Sequence, residues 1–414
     1  GANLSRTDFS GVVLSGTFFG GPVGLPDLSG ANFFGADLSG TDLSGVDLSE
    51  CNLTDIDLQE ANLEKAKFDR SILFGAEFGK ANLSEASLRE TKGAGSDFTG
   101  AANVEGGTLT VSGNLATNTI NVANGATLTT TAAELLNNAA TLTADGTVNL
   151  GGNETIANLL GADTGEVNIG ANNLLLTGGV DFQGRINGNG GSVDAGPGDL
   201  ILGGENTFTG QLTVLSGSTT TLTGSVDGNV DVNAGGELTL GSAERIADGS
   251  ALNVDGILNT NGEETVTSLT ATGTINGEGT VSALTYDLTG ATVNANLGTG
   301  VLTSNGDTDL NGNANADTVT VVGGTLTVDG ALSNNTASIN VEAGTLAANG
   351  TVAASSTLGC SISLASIRPR SRFSPQMPGM PRALALLDSK WPGSTASLSR
   401  PSVSIPRLMQ NSGT

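Results

Sequence analysis

A large apolar residue recurs at every fifth position through most of the first hundred residues. From Leu28 the positions Phe33, Leu38, Leu43, Leu48, Leu53, Leu58, Leu63, Phe68, Leu73, Phe78, Leu83 and Leu88 keep that spacing without a slip, and Phe98 is still in register after Gly93 breaks the apolar series. Neither regular element buries such a stripe. In a helix each step of five turns about 140° past a full revolution, which scatters the residues round the cylinder. In a straight strand an odd step lands on the opposite face. The chain must therefore bend once per repeat, so that each Leu or Phe points inward and the residue two before it follows on the same face. Those companions, Ala31, Ala36, Thr41, Val46, Cys51, Ile56, Ala61 and Ala66, are all small or apolar. Cys51 thus reads as a core side chain, with a reactive thiol as the alternative. An earlier series, Leu4, Phe9, Leu14 and Phe19, runs in a second register before the loop GGPVGLPD at 20–27.

The units read ADLSG (36–40), VDLSE (46–50) and ANLEK (61–65), with Asp or Asn before each apolar residue. In this pattern the segment closely resembles the pentapeptide-repeat family. The resemblance implies a right-handed, four-sided β-helix with four repeats per coil, about five coils and about 25 Å long at the usual strand spacing. Some members of that family imitate DNA and bind DNA gyrase. Here 15 acids stand against 7 bases over residues 1–100, a modest field, which favours a structural or spacer role.

Residues 101–360 change character. They hold 25 acids and only two bases, Arg185 and Arg245, and read as short strands such as TLTV (108–111), TINV (119–122), TVNL (147–150), ELTL (237–240) and TVTVV (318–322). Between them lie turns such as Asn124-Gly125, Asp145-Gly146, Asn261-Gly262 and Asn349-Gly350, residues that tolerate a left-handed backbone. Residues 133–159 laid without gaps on 243–269 agree at ten of 27 positions, among them Glu134, Asp145, Gly146, Glu154 and Thr155, so the segment is an array of related units. The stretch LILGGENTFTGQLTVLSGSTTTLTG (200–224) resembles the repeat associated with bacterial autotransporter passenger domains. That resemblance implies a right-handed parallel β-helix of about 13 rungs, displayed or released at the bacterial surface, and a C-terminal membrane barrel elsewhere in the parent protein.

Residues 361–414 invert the composition, with one acid, seven bases, seven of the ten Pro, every Met and the only Trp. They read as a Pro/Arg/Ser-rich tail, disordered or translated out of frame. With no Met before Met377, the chain reads as an internal fragment, mature processing being the alternative.

The full chain of 414 residues has no His and a formal charge of −25. Without His there is no imidazole to activate a Ser or Cys nucleophile and no His-ligated zinc. The acidity argues against nucleic acid or anionic lipid as partners, and no apolar run is long enough for a membrane helix. Two cysteines, Cys51 and Cys360, build no disulfide framework. Arg245 lies where its repeat counterpart is Leu135, which argues against a catalytic base, and the pair Glu263-Glu264 has no position that sequence alone can fix. GGSVDAGPGDLIL (190–202) is a single imperfect echo of a calcium-binding nonapeptide, so calcium is expected at most adventitiously. Thr runs at 127–131 and 219–223 raise an ice-binding ladder, but no strict Thr-x-Thr repeats at rung spacing. The expectation is an all-β protein with no catalytic, cofactor or metal residues. It would be two stacked solenoids, residues 1–100 and 101–360, serving as an extracellular or cell-surface adhesin-like or structural passenger with an unidentified surface ligand. The alternative is an intracellular pentapeptide-repeat protein that binds DNA gyrase or another nucleic-acid enzyme by DNA mimicry.

Overall fold

The computed structural model describes residues 4, 6–17, 19, 24–83, 86–88, 91, 102–104, 108–111, 115, 117–333, 338–353 and 356–359. The tail at 361–414 therefore lies outside the described residues, as does Phe98. Among the described residues every regular element is a strand or an isolated bridge, and every pairing is parallel.

In the N-terminal coils the bridges join residues twenty apart, as in Asp27↔Asp47, Asn32↔Asn52, Asp37↔Asp57 and Asp42↔Asn62, which makes four pentapeptides per turn. Each inward Leu or Phe opens a tight turn. The Leu38 carbonyl accepts from the Thr41 N–H at 3.2 Å and the Phe33 carbonyl from the Ala36 N–H at 3.0 Å. The Asp or Asn before it has a role the period did not reveal: its carboxylate or amide oxygen caps the turn. Asp37 Oδ1 accepts the Ser39 N–H at 3.0 Å and the Ser39 hydroxyl at 2.7 Å, and Asn52 Oδ1 accepts the Thr54 hydroxyl at 2.7 Å. The fifth residue of each unit takes positive φ. Gly supplies it at Gly35 and Gly40, but Glu50, Asp55, Glu60, Lys65, Arg70 and Lys80 adopt it with a side chain, at φ of 55–64°. The second register at the N-terminus is explained by Asp8↔Asn32, a step of 24: the loop at 20–27 adds four residues, and the first coil then stacks normally. Phe9 lies on Phe33, with ring centroids 4.9 Å apart.

The stack continues without a break in pairing. Strand Ser87–Leu88 pairs with Thr108–Val111, placing Ser87 beside Thr110 and Leu88 beside Val111. From there three main sheets of six, thirteen and fourteen strands run along the solenoid. The strands read from sequence are found where expected, among them Thr119–Val122, Glu237–Leu240 and Thr318–Val321. The coil length is less regular than the expected 20, ranging from 22 residues (Val230↔Leu252) to 16 (Thr285↔Val301). Alternate residues of each strand are buried, and the core is a column of Val, Leu and Ile with few rings. Phe182, Phe208 and Tyr286 are fully buried, and the Tyr286 hydroxyl accepts the Ala283 N–H at 2.8 Å.

Glycine marks the corners where successive coils approach most closely. A Cβ on Gly256 would lie 2.5 Å from the Asn233 carbonyl oxygen and closer still to that of Gly236, and Gly273 stands over Gly256 in the same way. That stacking, more than conformational freedom, explains much of the glycine in this array.

Candidate functional site

The side chains that sequence reasoning weighed for chemistry are all occupied structurally. Cys51 is buried among the inward residues, its Sγ donates to the Leu28 carbonyl at 3.1 Å, and burial pushes the thiol up to about 12. The thiolate is therefore scarce at neutral pH, and Cys51 serves as packing. Arg185 sits 3.5 Å from Glu166 on the outer face, and Arg245 donates to the Ser242 hydroxyl from Nε at 2.9 Å. Among the described residues no group of three or more acids or cysteines is arranged to hold a metal ion, and no helix is long and apolar enough to cross a membrane.

Two carboxylates are a different matter. Glu154 and Glu264 are each 1% exposed, and each caps a protruding corner of the preceding coil. The Glu154 oxygens accept the Leu135 and Leu136 N–H groups at 3.1 and 3.2 Å; the Glu264 oxygens accept those of Arg245 and Ile246 at 2.9 and 2.8 Å. In both corners the residue before the capped pair, Glu134 or Glu244, has positive φ, at 51° and 52°. Its carboxylate accepts the hydroxyl of the residue after the buried Glu, Thr155 at 3.3 Å and Thr265 at 3.1 Å. Desolvation pushes both buried carboxyls up to about 7. The two N–H donors act against it, and the neighbouring Glu134 or Glu244 charge adds to it. The corners lie 110 residues apart and are the three-dimensional form of the ungapped repeat, in which Glu134, Glu154 and Thr155 were three of the recurring positions. The equivalence of Leu135 and Arg245 is likewise explained: the corner uses only their backbone N–H. Sequence reasoning left Glu264 unplaced because burial of a Glu leaves no periodic signal beyond that recurrence.

The outer faces are laced by side-chain ladders. Asn168 donates to Asn149 at 2.9 Å and Asn187 to Asn168 at 3.0 Å, and the Thr207 hydroxyl donates to Asn187 at 2.9 Å. A second ladder runs Asn276 to Asn259 at 3.1 Å, Asn294 to Asn276 at 2.7 Å and Asn311 to Asn294 at 2.7 Å. The N-terminal coils carry the same device in Asn52 to Asn32 at 2.9 Å and Asn82 to Asn62 at 3.2 Å. Thr108, Thr127 and Thr147 stand in register over three coils, as do Thr110 and Thr129, so short Thr columns exist that the sequence spacing did not display. The best-formed concavity, about 340 Å³, is a groove along a glycine corner, lined by Gly217, Gly236, Glu237, Asp255, Gly256 and Ile257 among others.

Charge and apolar exposure gather on the N-terminal coils. Asp37, Asp57 and Glu77 form one column, while Arg70 is paired with Glu50 at 2.8 Å and Lys80 with Glu60 at 3.1 Å. Phe34 and Phe74, 48% and 43% exposed, lie on the corner beside the acidic column.

Comparison with known proteins bears on this region. Residues 27–50, 51–90 and 71–102 match the family described as pentapeptide repeats, in eight copies. Among solved structures, a pentapeptide repeat protein from the thylakoid lumen of Arabidopsis thaliana is 35% identical, with a TM-score of 0.11. The match covers 21% of this chain and 65% of that one, so the chain spans somewhat under two thirds of that protein's length. No curated protein matches.

Proposed function

We propose that the protein is a non-enzymatic structural solenoid, secreted or displayed at a bacterial cell surface as the adhesin-like or structural passenger of an autotransporter-type protein. The observation that carries this reading is the set of outer ladders joined to a continuous in-register stack. Side chains that could otherwise engage a small ligand are spent on binding each coil to the next, as in Asn149, Asn168 and Asn187. Such an object resists bending and separates what lies at its two ends, which is the task of a stalk. The acidic, Thr- and Asn-rich outer surface of residues 101–360, with only Arg185 and Arg245 as bases, supports an extracellular setting. Protease treatment of intact source cells should remove the protein, and fractionation should place it outside the cytosol. Protection of the whole pool, with recovery only from cytosol, would refute the reading.

The column Asp37, Asp57 and Glu77 favours a second reading, in which the N-terminal coils bind DNA gyrase by charge mimicry inside the cell. Supercoiling assays with the full chain test it: no inhibition at micromolar concentration counts against it.

A further inference from the structure

We infer that the corner formed by Phe34, Thr54 and Phe74 on the N-terminal coils is a docking notch for an arginine side chain presented by a partner protein. The three residues occupy equivalent places in three successive coils. The Gly35 N–H donates to the Thr54 carbonyl at 2.9 Å, and the Asp55 N–H to the Phe74 carbonyl at 2.8 Å. At the strand spacing of a stacked coil the two phenylalanines are about 9.6 Å apart, with the small Thr54 between them as floor. Both rings lie close to half exposed, although every inward Phe of this segment, such as Phe33, Phe68 and Phe78, is 2% exposed or less. Two large rings held in water at equal height cost solvation without adding to the core.

The surroundings supply the matching charge. Asp55 follows Thr54, and its carboxylate lies over Gly75: a Cβ at Gly75 would collide with it. Gly35, on the other side, leaves open space, since a Cβ there would meet nothing within 4 Å. The carboxylates of Asp37, Asp57 and Glu77 begin the adjoining face, and the nearest bases, Arg70 and Lys80, are paired with Glu50 and Glu60. An occupant must therefore be cationic, with a flat or apolar surface to lie against aromatic rings. A guanidinium meets both conditions: it stacks on ring faces and pairs with a carboxylate through its fork of donors, which an ammonium does less well. A nucleic acid is excluded by the same charges.

The test uses the full chain and a fluorescein-labelled dodecapeptide of alternating Arg and Ala, followed by anisotropy at 0.15 M salt, with a Gln/Ala peptide as control. The double substitution F34S/F74S should weaken the Arg peptide about tenfold, two exposed cation–π contacts being lost. D55G, which places in this coil the residue found at Gly35 and Gly75 and so keeps the turn, should weaken it severalfold. D231N/D287N, which removes two exposed charges from the distant array, should leave affinity within twofold. Equal affinity of the Arg peptide for wild type and F34S/F74S would overturn the inference. So would equal loss in D231N/D287N, which would mean that net charge alone attracts the peptide.

Discussion

The twin buried carboxylates make the two protruding corners sensitive to pH in a direction that the geometry fixes. Glu264 in the folded chain holds its proton up to about pH 7, against an ordinary value of 4.5, because its carboxyl is buried and Glu244 lies nearby. A carboxyl whose folded value is raised binds the proton more tightly when folded. The corner is therefore most stable below pH 4.5, and that stability is lost as pH rises toward and through 7. The displacement corresponds to about 3 kcal/mol per corner, of which water penetration recovers a part. Units of a solenoid open separately, so the readout must be local: hydrogen exchange of peptides covering 131–140 and 241–250, corrected for intrinsic rate. Protection should fall by one to two orders of magnitude between pH 5 and pH 8.5 in both peptides, and stay level in strands such as Glu237–Leu240. E154Q and E264Q keep the shape and one acceptor but cannot ionise, and should flatten the profile, each in its own corner. Near pH 5 they should match the wild type; at pH 8.5 they should exceed it. A flat wild-type profile, or a slope that survives in the Gln variants, would refute the reasoning.

Three further outcomes follow from packing. G256A should destabilise its coil by about 2–4 kcal/mol, since backbone oxygens on two sides would have to move. G249A, with nothing within 4 Å of the new methyl, should change little; thermal melts followed by circular dichroism compare the two. N294L removes two rungs of an outer ladder, the bonds to Asn276 and from Asn311, and should cost about 1–2 kcal/mol. A thiol reagent added to a C360S variant should leave Cys51 unmodified in the native state and label it stoichiometrically in denaturant, because its thiol is buried and bonded.

How much of this was legible depended on whether a signal repeats along the chain. The pentapeptide spacing specified inward residues such as Leu38, Leu48 and Phe68, all of which are buried. It followed from a steric requirement that permits one solution, a bend at every repeat. In the larger array, alternating β-branched residues predicted strands such as Thr119–Val122 within a residue. What periodicity could not convey was any contact between coils whose lengths vary from 16 to 22 residues. The columns Asn259, Asn276, Asn294 and Asn311 have unequal separations in sequence, so no fixed period detects them, and the Thr columns were missed for the same reason. Phe34 and Phe74 were legible as residues but not as a pair, because only the twenty-residue turn brings positions forty apart onto one edge. The buried Glu264 left a trace in the alignment with Glu154, but recurrence alone does not distinguish a capping carboxylate from an exposed one.

A coil in this architecture touches only the coil before and the coil after it, so energy does not travel far along the axis. The notch at Phe34 and Phe74 and the corners capped by Glu154 and Glu264 should therefore behave independently. Perturbing one leaves exchange protection at the others unchanged, because no shared sheet edge or interface moves as a body. The stack does transmit position. From the coil at Asp27 to the strand Thr351–Ala353 there are about 17 steps of about 4.8 Å, so the chain holds its N-terminal notch about 80 Å from its far end. That separation is fixed by backbone hydrogen bonds at every coil and reinforced by the Asn ladders outside them. Loss of a single rung as in N294L would soften one joint without shortening the reach, whereas a substitution such as G256A, which forces two coils apart, would bend the axis at a defined height. Small-angle scattering of the two variants separates these cases: an unchanged maximum dimension is expected for N294L and a reduced one for G256A, and identical profiles would show that the corner glycines do not set the axis.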